Sequence, residues 1–227
     1  MIIPGVLSQM AQLVSGGGGG VRPVFVAVAS SAATSGSLSV ALPAGWVSGQ
    51  LAIMSVISEV SKTAPAGWNA IGSEIVNNTA YASAYWRILQ IGDSSPVLPS
   101  ATDTVAVVWT FEAGTFNPTT PVAEIATQNT GSLSTNHSVP SSTTVAAGQH
   151  FVMHLDSGNS GFATVSSYPY AAAQHTRGIG VSPTYSICTG CGVAFDGGVS
   201  ASTTVVVSAN TRWIGRKIVI VGSGYTA

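Results

Sequence analysis

The residues best suited to recognition chemistry lie in one short stretch of the second half of the chain. Tyr168, Tyr170, His175 and Arg177 follow one another there, beside the sequence Gly178-Ile-Gly180. Tyrosine and arginine are enriched at the centres of binding interfaces, and flat amphipathic rings beside a cation suit a receptor surface or a glycan. We therefore predict that this segment makes any receptor or glycan contact. An ordinary exposed loop is the alternative.

The cysteines and histidines do not have the spacing of a metal site. Cys188 and Cys191 form one Cys-x-x-Cys without a second pair of ligands, and the four histidines are scattered. His150 and His154 share a face of a predicted strand with Asp156, but positions four apart on a strand are about 13 Å apart. We predict no metal and no cofactor, and we expect reduced cysteines that are buried or flank a turn. A strained local disulfide is the alternative.

Eight carboxylates are the remaining candidates for catalysis. A glycoside hydrolase needs two of them about 5 to 9 Å apart across a cleft, and the sequence does not indicate such a pair. The Gly-x-Ser-x-Gly elbow and the phosphate-binding glycine loop do not occur. We predict that the protein is not an enzyme and has no catalytic residues. A glycan depolymerase is a third, unsupported alternative.

Charge is scarce in this chain. Seven basic and eight acidic residues among 227 give a net charge of −1, whereas charged residues average about a quarter of a soluble domain. The basic residues do not cluster, which argues against nucleic-acid binding. The longest apolar runs are far below the roughly 20 residues of a membrane helix, so we predict no membrane insertion. Copies of such a chain repel one another only weakly, because their net charge is small. We therefore expect a homo-oligomer in which neighbouring subunits cover the surface of each copy.

The first twenty residues are apolar and end in a glycine run. Leu7, Met10 and Val14 are spaced three and four apart, which predicts a short helix. The five glycines from Gly16 to Gly20 have no side chains to bury and form a flexible tether. The start also lacks the charged and apolar regions of a secretory signal. We predict a docking peptide and linker at residues 1–20, with a frayed terminus as the alternative, and a β domain at residues 21–227. The docking side chains would be Ile2, Ile3, Val6, Leu7, Met10 and Val14.

From residue 24 onward, runs of β-branched and aromatic residues alternate with clusters of Gly, Pro, Ser and Asn. Side chains alternate with period two within the runs, as in half-buried antiparallel strands. Regular spacing without amphipathic helices predicts an all-β fold, an antiparallel β-sandwich that is jelly-roll-like. Two smaller β domains split near residues 131–142 are the alternative. The predicted strands are 24–29, 37–42, 51–60, 80–89, 104–112, 122–127, 149–155, 162–165, 203–209 and 213–221.

Four of the five tryptophans fall into two pairs, one pair at turns and the other on strands. Trp46 and Trp68 each end a Pro-Ala-Gly-Trp turn, in which proline and glycine set the turn geometry. We predict that Trp86 and Trp109, on apolar strand faces, fill the core. Trp46 and Trp68 fit either the core or a stacking platform for sugar rings.

Several short motifs together resemble a known group of proteins. They comprise the apolar start, the glycine run, and residues 38–47, 49–53, 65–68, 85–87 and 212–215. This pattern resembles β-rich virion structural proteins of tailed bacteriophages over about residues 25–222. The resemblance implies an accessory protein of the phage head or tail that is assembled with capsid or tail proteins in the host cytoplasm. It transfers no functional residues.

Two functions are therefore expected. The first is a non-enzymatic virion protein that decorates or cements the head or tail and is anchored through its N-terminal segment. The alternative is a receptor- or carbohydrate-binding module of a tail or head fibre, which would contact a host-surface glycan.

Overall fold

A computed structural model describes residues 20–159, 164–170, 180–181 and 186–225. The predicted docking side chains from Ile2 to Val14 lie outside these residues, as do His175 and Arg177. The described chain is all β, and its strands are β1 (Phe25–Ala33), β2 (Leu38–Ser39), β3 (Leu51–Ser58), β4 (Asn69–Ala70), β5 (Ile75–Asn77), β6 (Ala80–Ile88), β7 (Val97–Leu98), β8 (Thr104–Phe111), β9 (Val122–Val139), β10 (Thr144–Val145), β11 (His150–Asn159), β12 (Val165–Ser167), β13 (Gly180–Val181), β14 (Ser186–Phe195), β15 (Gly198–Val199) and β16 (Thr203–Ile220).

Two antiparallel sheets pack face to face as a sandwich. The first sheet has the order β1-β8-β3-β6-β4, and β5 also pairs with β6. The second has the order β12-β16-β11-β14-β13, and β9 also pairs with β16. Residues 20–111 build the first sheet and residues 122–220 the second, so the described chain passes between the sheets once. The all-β sandwich is confirmed. Jelly-roll connectivity is not, because a jelly roll passes repeatedly between its sheets.

The two halves of the chain have the same topology. In each sheet the four long strands follow the order first, fourth, second, third, which is β1-β8-β3-β6 in one half and β9-β16-β11-β14 in the other. A short ladder also lies in matching places: β2 pairs with β7, and β10 pairs with β15. Each ladder joins the first connection of its half to the last.

The central core lies between the sheets. Trp109 and Ile53 of the first sheet and Met153 and Ile218 of the second belong to this one cluster. Gly190 lets the sheets approach, because a Cβ there would lie 2.7 Å from the Trp109 ring. The prediction of a core tryptophan is confirmed for Trp109, which is fully buried.

The expectation of half-buried strands is wrong for β3 and β8, in which every residue is buried. Their outer faces form a second core that includes Met54, Val56 and Val108. The β2–β7 ladder covers these side chains with Leu38 and Leu98, and Trp68 packs among them. The local alternation is correct, but connecting segments cover the face that was expected to meet solvent.

A long bent ribbon replaces several shorter predicted elements. Residues 203–209 and 213–221 were predicted as separate strands, but β16 is continuous, and its partner β9 runs through the region of the alternative domain boundary. The register shifts on both sides of Thr211, and such irregularities bend a strand pair. The far end of the ribbon folds over the outer face of the second sheet. A Cβ on Gly215 would lie 2.4 Å from Val139.

Candidate functional site

The described part of the predicted recognition segment packs against the domain. The Tyr168 hydroxyl lies 2.8 Å from Oγ1 of Thr189, and its ring packs beside Val205 and Val207. Tyr170 is half-buried against a cluster on the outer face of the second sheet that includes Val152 and Val219. Burial raises the pKa of its phenol. Both rings thus stabilise the fold. Their predicted glycan contact stays a prediction.

The first described residues of the chain lie against its last described residues. Val21 and Ser223 exchange two backbone hydrogen bonds of 3.1 and 2.9 Å. The Arg22 guanidinium donates to the carbonyl of His150 at 3.1 Å and pairs with the Asp196 carboxylate. A Cβ at Gly20 would lie 1.5 Å from the Ser223 carbonyl oxygen, so a side chain does not fit there. Residues 20–22 are therefore held in a fixed position on the sandwich.

His150 also belongs to this group of contacts between residues 20–22 and residues 196 and 222–225, which we call the clasp. Its Nδ1 accepts the Gly222 backbone N–H at 3.2 Å, and its Nε2 donates to the Ala146 carbonyl at 3.2 Å. The Tyr225 ring packs edge-on against the imidazole. Because Nδ1 is an acceptor, the imidazole here is neutral. Burial lowers its pKa accordingly.

A buried polar network lies where the bent ribbon covers the second sheet. Nδ1 of His137 lies 2.8 Å from Oδ2 of Asp156, and its Nε2 lies 2.8 Å from the Thr211 hydroxyl and 3.2 Å from the Ser134 carbonyl oxygen. The His137 ring stacks on Trp213 at a centroid distance of 5.2 Å. Nearby, Nδ1 of His154 lies 2.9 Å from Oγ1 of Thr203.

The ionisable groups of this network respond to burial. Burial raises the pKa of Asp156, although the hydrogen bond from His137 opposes the rise. Burial lowers the pKa of His154 to about 3, and the neighbouring positive charge of Lys217 adds to this shift. Nε2 of His154 and Oδ1 of Asp156 have no hydrogen-bond partner among the described residues. Burial without these hydrogen bonds therefore favours the neutral form of the His154 imidazole and makes ionisation of the Asp156 carboxyl group costly.

The order Thr211, His137, Asp156 has the connectivity of a nucleophile, a base and an orienting acid. All three side chains are buried, with 1%, 0% and 0% of their surfaces exposed, and neither described pocket includes them. A nucleophile needs a space in which a reacting atom can approach it. The arrangement instead fastens the folded ribbon to the sheet.

Sequence reasoning did not find this network. His154 and Asp156 were placed on one strand face, which is correct, but His137 comes from a Ser/Thr/Asn-rich stretch without a strand signal. The only available hint was the polar pair itself, because the neighbouring residues Phe151, Val152, Met153 and Leu155 of β11 are apolar.

The cysteines are free and buried, as expected. Cys188 faces the central core, where it lies 3.6 Å from the Ser55 carbonyl oxygen, while Cys191 is on the opposite face of β14 beside His154. Burial raises the pKa of Cys188 to about 11, so the thiol is protonated and unreactive.

An open cleft of about 440 Å³ lies at one end of the first sheet. Its lining includes the second Pro-Ala-Gly-Trp turn, Arg87, and the segment from Gly92 to Val97. Within the cleft, Arg87 pairs with Asp93, and Trp68 lies largely in the outer core. Of the two tryptophans left undecided by the sequence, Trp68 thus packs as core and also lines a surface cleft.

Comparisons with protein-family models, with curated proteins and with solved structures found no match to this chain. In the described part of the chain, no three His, Cys, Asp or Glu side chains group as a metal site. The same residues contain no helix that could cross a membrane.

Proposed function

We propose that the protein is a non-enzymatic structural protein of a tailed-phage particle. Residues 1–20 attach it to a capsid or tail protein, and the sandwich packs against neighbouring copies. The observation that supports this proposal best is that most of the described basic side chains are paired or hydrogen-bonded within the fold.

The described surface carries very little free positive charge. Six of the seven basic residues are described, and five of them are engaged within the fold. Arg22, Arg87 and Arg216 pair with carboxylates. The ammonium groups of Lys62 and Lys217 donate to backbone carbonyls. A surface of this kind is covered by neighbours at little desolvation cost, because few ions lose their water.

The edge of the first sheet offers a second line of support. β1 contains no charged residue and no proline, and β8 is its one strand partner among the described residues. Proteins that stay monomeric usually protect long edge strands with charge, proline or bulges. An edge with a single bulge near its start, between Phe25 and Ala27, suits pairing with another copy.

The clasp at the chain ends supports attachment through the tether. Because Val21 and Arg22 are held to Ser223 and Asp196, a pull on the N-terminal segment acts on the sandwich directly. A weak docking peptide is sufficient on a symmetric particle, since many copies bind at once.

The experiment compares incorporation into particles. The variant Leu7→Ser with Met10→Ser removes apolar side chains from the docking face, and Gln9→Ser with Gln12→Ser is its matched control. We expect the first variant to be absent from purified particles, while the control is incorporated like the unaltered protein. Circular dichroism and urea unfolding of both purified variants should match the unaltered protein. Normal incorporation of the Leu7 and Met10 variant would overturn attachment through this segment.

A further inference from the structure

The cleft at the end of the first sheet joins two turns that are far apart in sequence. One is the turn that ends at Trp68, and the other is the turn from Gln90 to Asp93, which Gly92 permits with a φ of 88°. The β2–β7 ladder closes a third side, where Val40 donates its N–H to the Pro96 carbonyl at 2.8 Å. At about 440 Å³ the cleft is in the range of roughly 300 to 1,000 Å³ found for small-molecule sites.

A fixed ion pair lies in this cleft. Nε of Arg87 donates to Oδ2 of Asp93 at 2.8 Å, and Nη2 donates to Oδ1 at 2.5 Å. Nη1 donates to the Ala66 carbonyl at 3.1 Å. The Gln90 backbone N–H also donates to Oδ2 at 2.9 Å. Each charged group is therefore oriented before any ligand arrives, which lowers the entropic cost of binding.

Gly67 makes the position of Arg87 possible. A Cβ at this residue would lie 1.8 Å from Nη1, so the guanidinium packs directly on the turn backbone. The pair remains accessible, since 24% of the Arg87 side chain and 14% of the Asp93 side chain are exposed. An arginine has five N–H donors, and two of them remain after the three bonds named above.

The charge and lining of the cleft select among ligand classes. Arg87 is the one basic residue of the lining and Asp93 is the one acidic residue, so the cleft has no net charge. An anionic ligand would meet a carboxylate that is already oriented, and a purely apolar ligand would desolvate the ion pair without replacing its water contacts. A neutral ligand rich in hydroxyl groups can bond to both charged groups and to the hydroxyls of Ser94 and Ser95. Its less polar faces can lie on the rings of Pro65 and Pro96.

From this geometry we propose that the cleft binds a neutral saccharide of one or two pyranose rings. This site is separate from the segment around Tyr168 and from the docking segment at residues 1–20. A test of saccharide binding in the cleft is therefore independent of a test of attachment to a particle.

The test uses the full chain labelled with ¹⁵N and a set of neutral methyl pyranosides of gluco, galacto, manno and N-acetylglucosamine configuration. N-acetylneuraminic acid is the anionic comparison. We expect at least one neutral pyranoside to produce saturable shifts at the amides of Gly67 and Gly92 and at Nε–H of Arg87. N-acetylneuraminic acid should produce none. Absence of saturable shifts with every neutral sugar, or shifts confined to another region, would overturn the proposal.

Three variants test whether binding takes place in the cleft. Ser95→Trp fills the cleft and should abolish the shifts, whereas Ser202→Trp places the same side chain at an exposed position in the other half and should leave them unchanged. Asp93→Asn removes the negative charge, so the cleft becomes cationic and should gain affinity for N-acetylneuraminic acid. The circular dichroism of all three variants should match the unaltered protein. Equal binding by the Ser95 and Ser202 variants would also refute the proposed site.

Discussion

His154 makes the sharpest thermodynamic prediction, because a fully buried imidazole must lose its charge when the protein folds. Its pKa falls from 6.5 to about 3 in the fold. A full difference of this size corresponds to about 5 kcal/mol between the protonated and neutral forms. Below pH 6.5 the unfolded chain binds a proton that the folded chain rejects. Stability from the neutral group is therefore complete above pH 6.5 and is lost as the pH falls toward 3.

The measurable interval is from pH 7 to pH 5. Linkage through His154 alone should reduce the free energy of unfolding by about 2 kcal/mol over this interval. The variant His154→Met removes the titrating group. Met54, on the outer face of β3, shows that a methionine can be fully buried on the outer face of the corresponding strand of the first half. The variant should therefore lose about 2 kcal/mol less than the unaltered protein between the two pH values.

Urea unfolding followed by tryptophan fluorescence at pH 7, 6 and 5 measures this difference. The lowered pKa of His150 and the raised pKa of Asp156 also affect stability with pH, but they act in both proteins and cancel in the comparison. A parallel NMR titration of the unaltered protein should show a neutral His154 ring at pH 5. Equal pH dependence of the two proteins, or a ring that protonates near pH 6.5, would refute the reasoning.

Two further pairs of variants test packing. Thr211→Val removes the hydroxyl that bonds Nε2 of His137 and should cost about 1 to 3 kcal/mol of unfolding free energy. Thr204→Val, a more exposed position on the same strand, should stay within about 0.5 kcal/mol, and similar losses at both positions in urea unfolding would contradict a role for the network. Gly67→Ala should be more destabilising than Gly45→Ala by about 1 to 3 kcal/mol. Both glycines have a positive φ, but the first Cβ would clash with the Arg87 guanidinium and the second would meet open space, so equal thermal midpoints would contradict this packing.

The strands were predictable because their signal is local. The period-two pattern placed β3, β6, β8 and β11 within a few residues of their observed bounds. β-Branched residues and turn residues act on neighbouring backbone dihedrals, so their effect does not depend on the rest of the fold. The free, buried state of the cysteines also followed from residue types.

Strand partners were not predictable in the same way. The shared order of the two halves depends on which distant strands pair, and all-β sandwiches permit many such orders with the same local pattern. The burial of both faces of β8 has a related cause: its outer side chains are covered by the ladder of Leu38 and Leu98, whose strands have only two residues each. Elements this short leave almost no pattern in a sequence.

The features proposed to carry function also divide into those that the sequence shows and those that only the fold brings together. The apolar start, the glycine run and the scarcity of charge are properties of the chain itself, and the proposed attachment and assembly rest on them. The cleft of Arg87 and Asp93, the clasp of Arg22 and the network of His137 depend on contacts between residues up to 202 positions apart. Sequence alone determined that this is a sandwich of alternating strands with few ions. Only the tertiary structure decided which ions meet, because hydrogen bonds and ion pairs require distances of about 3 Å that no residue pattern specifies.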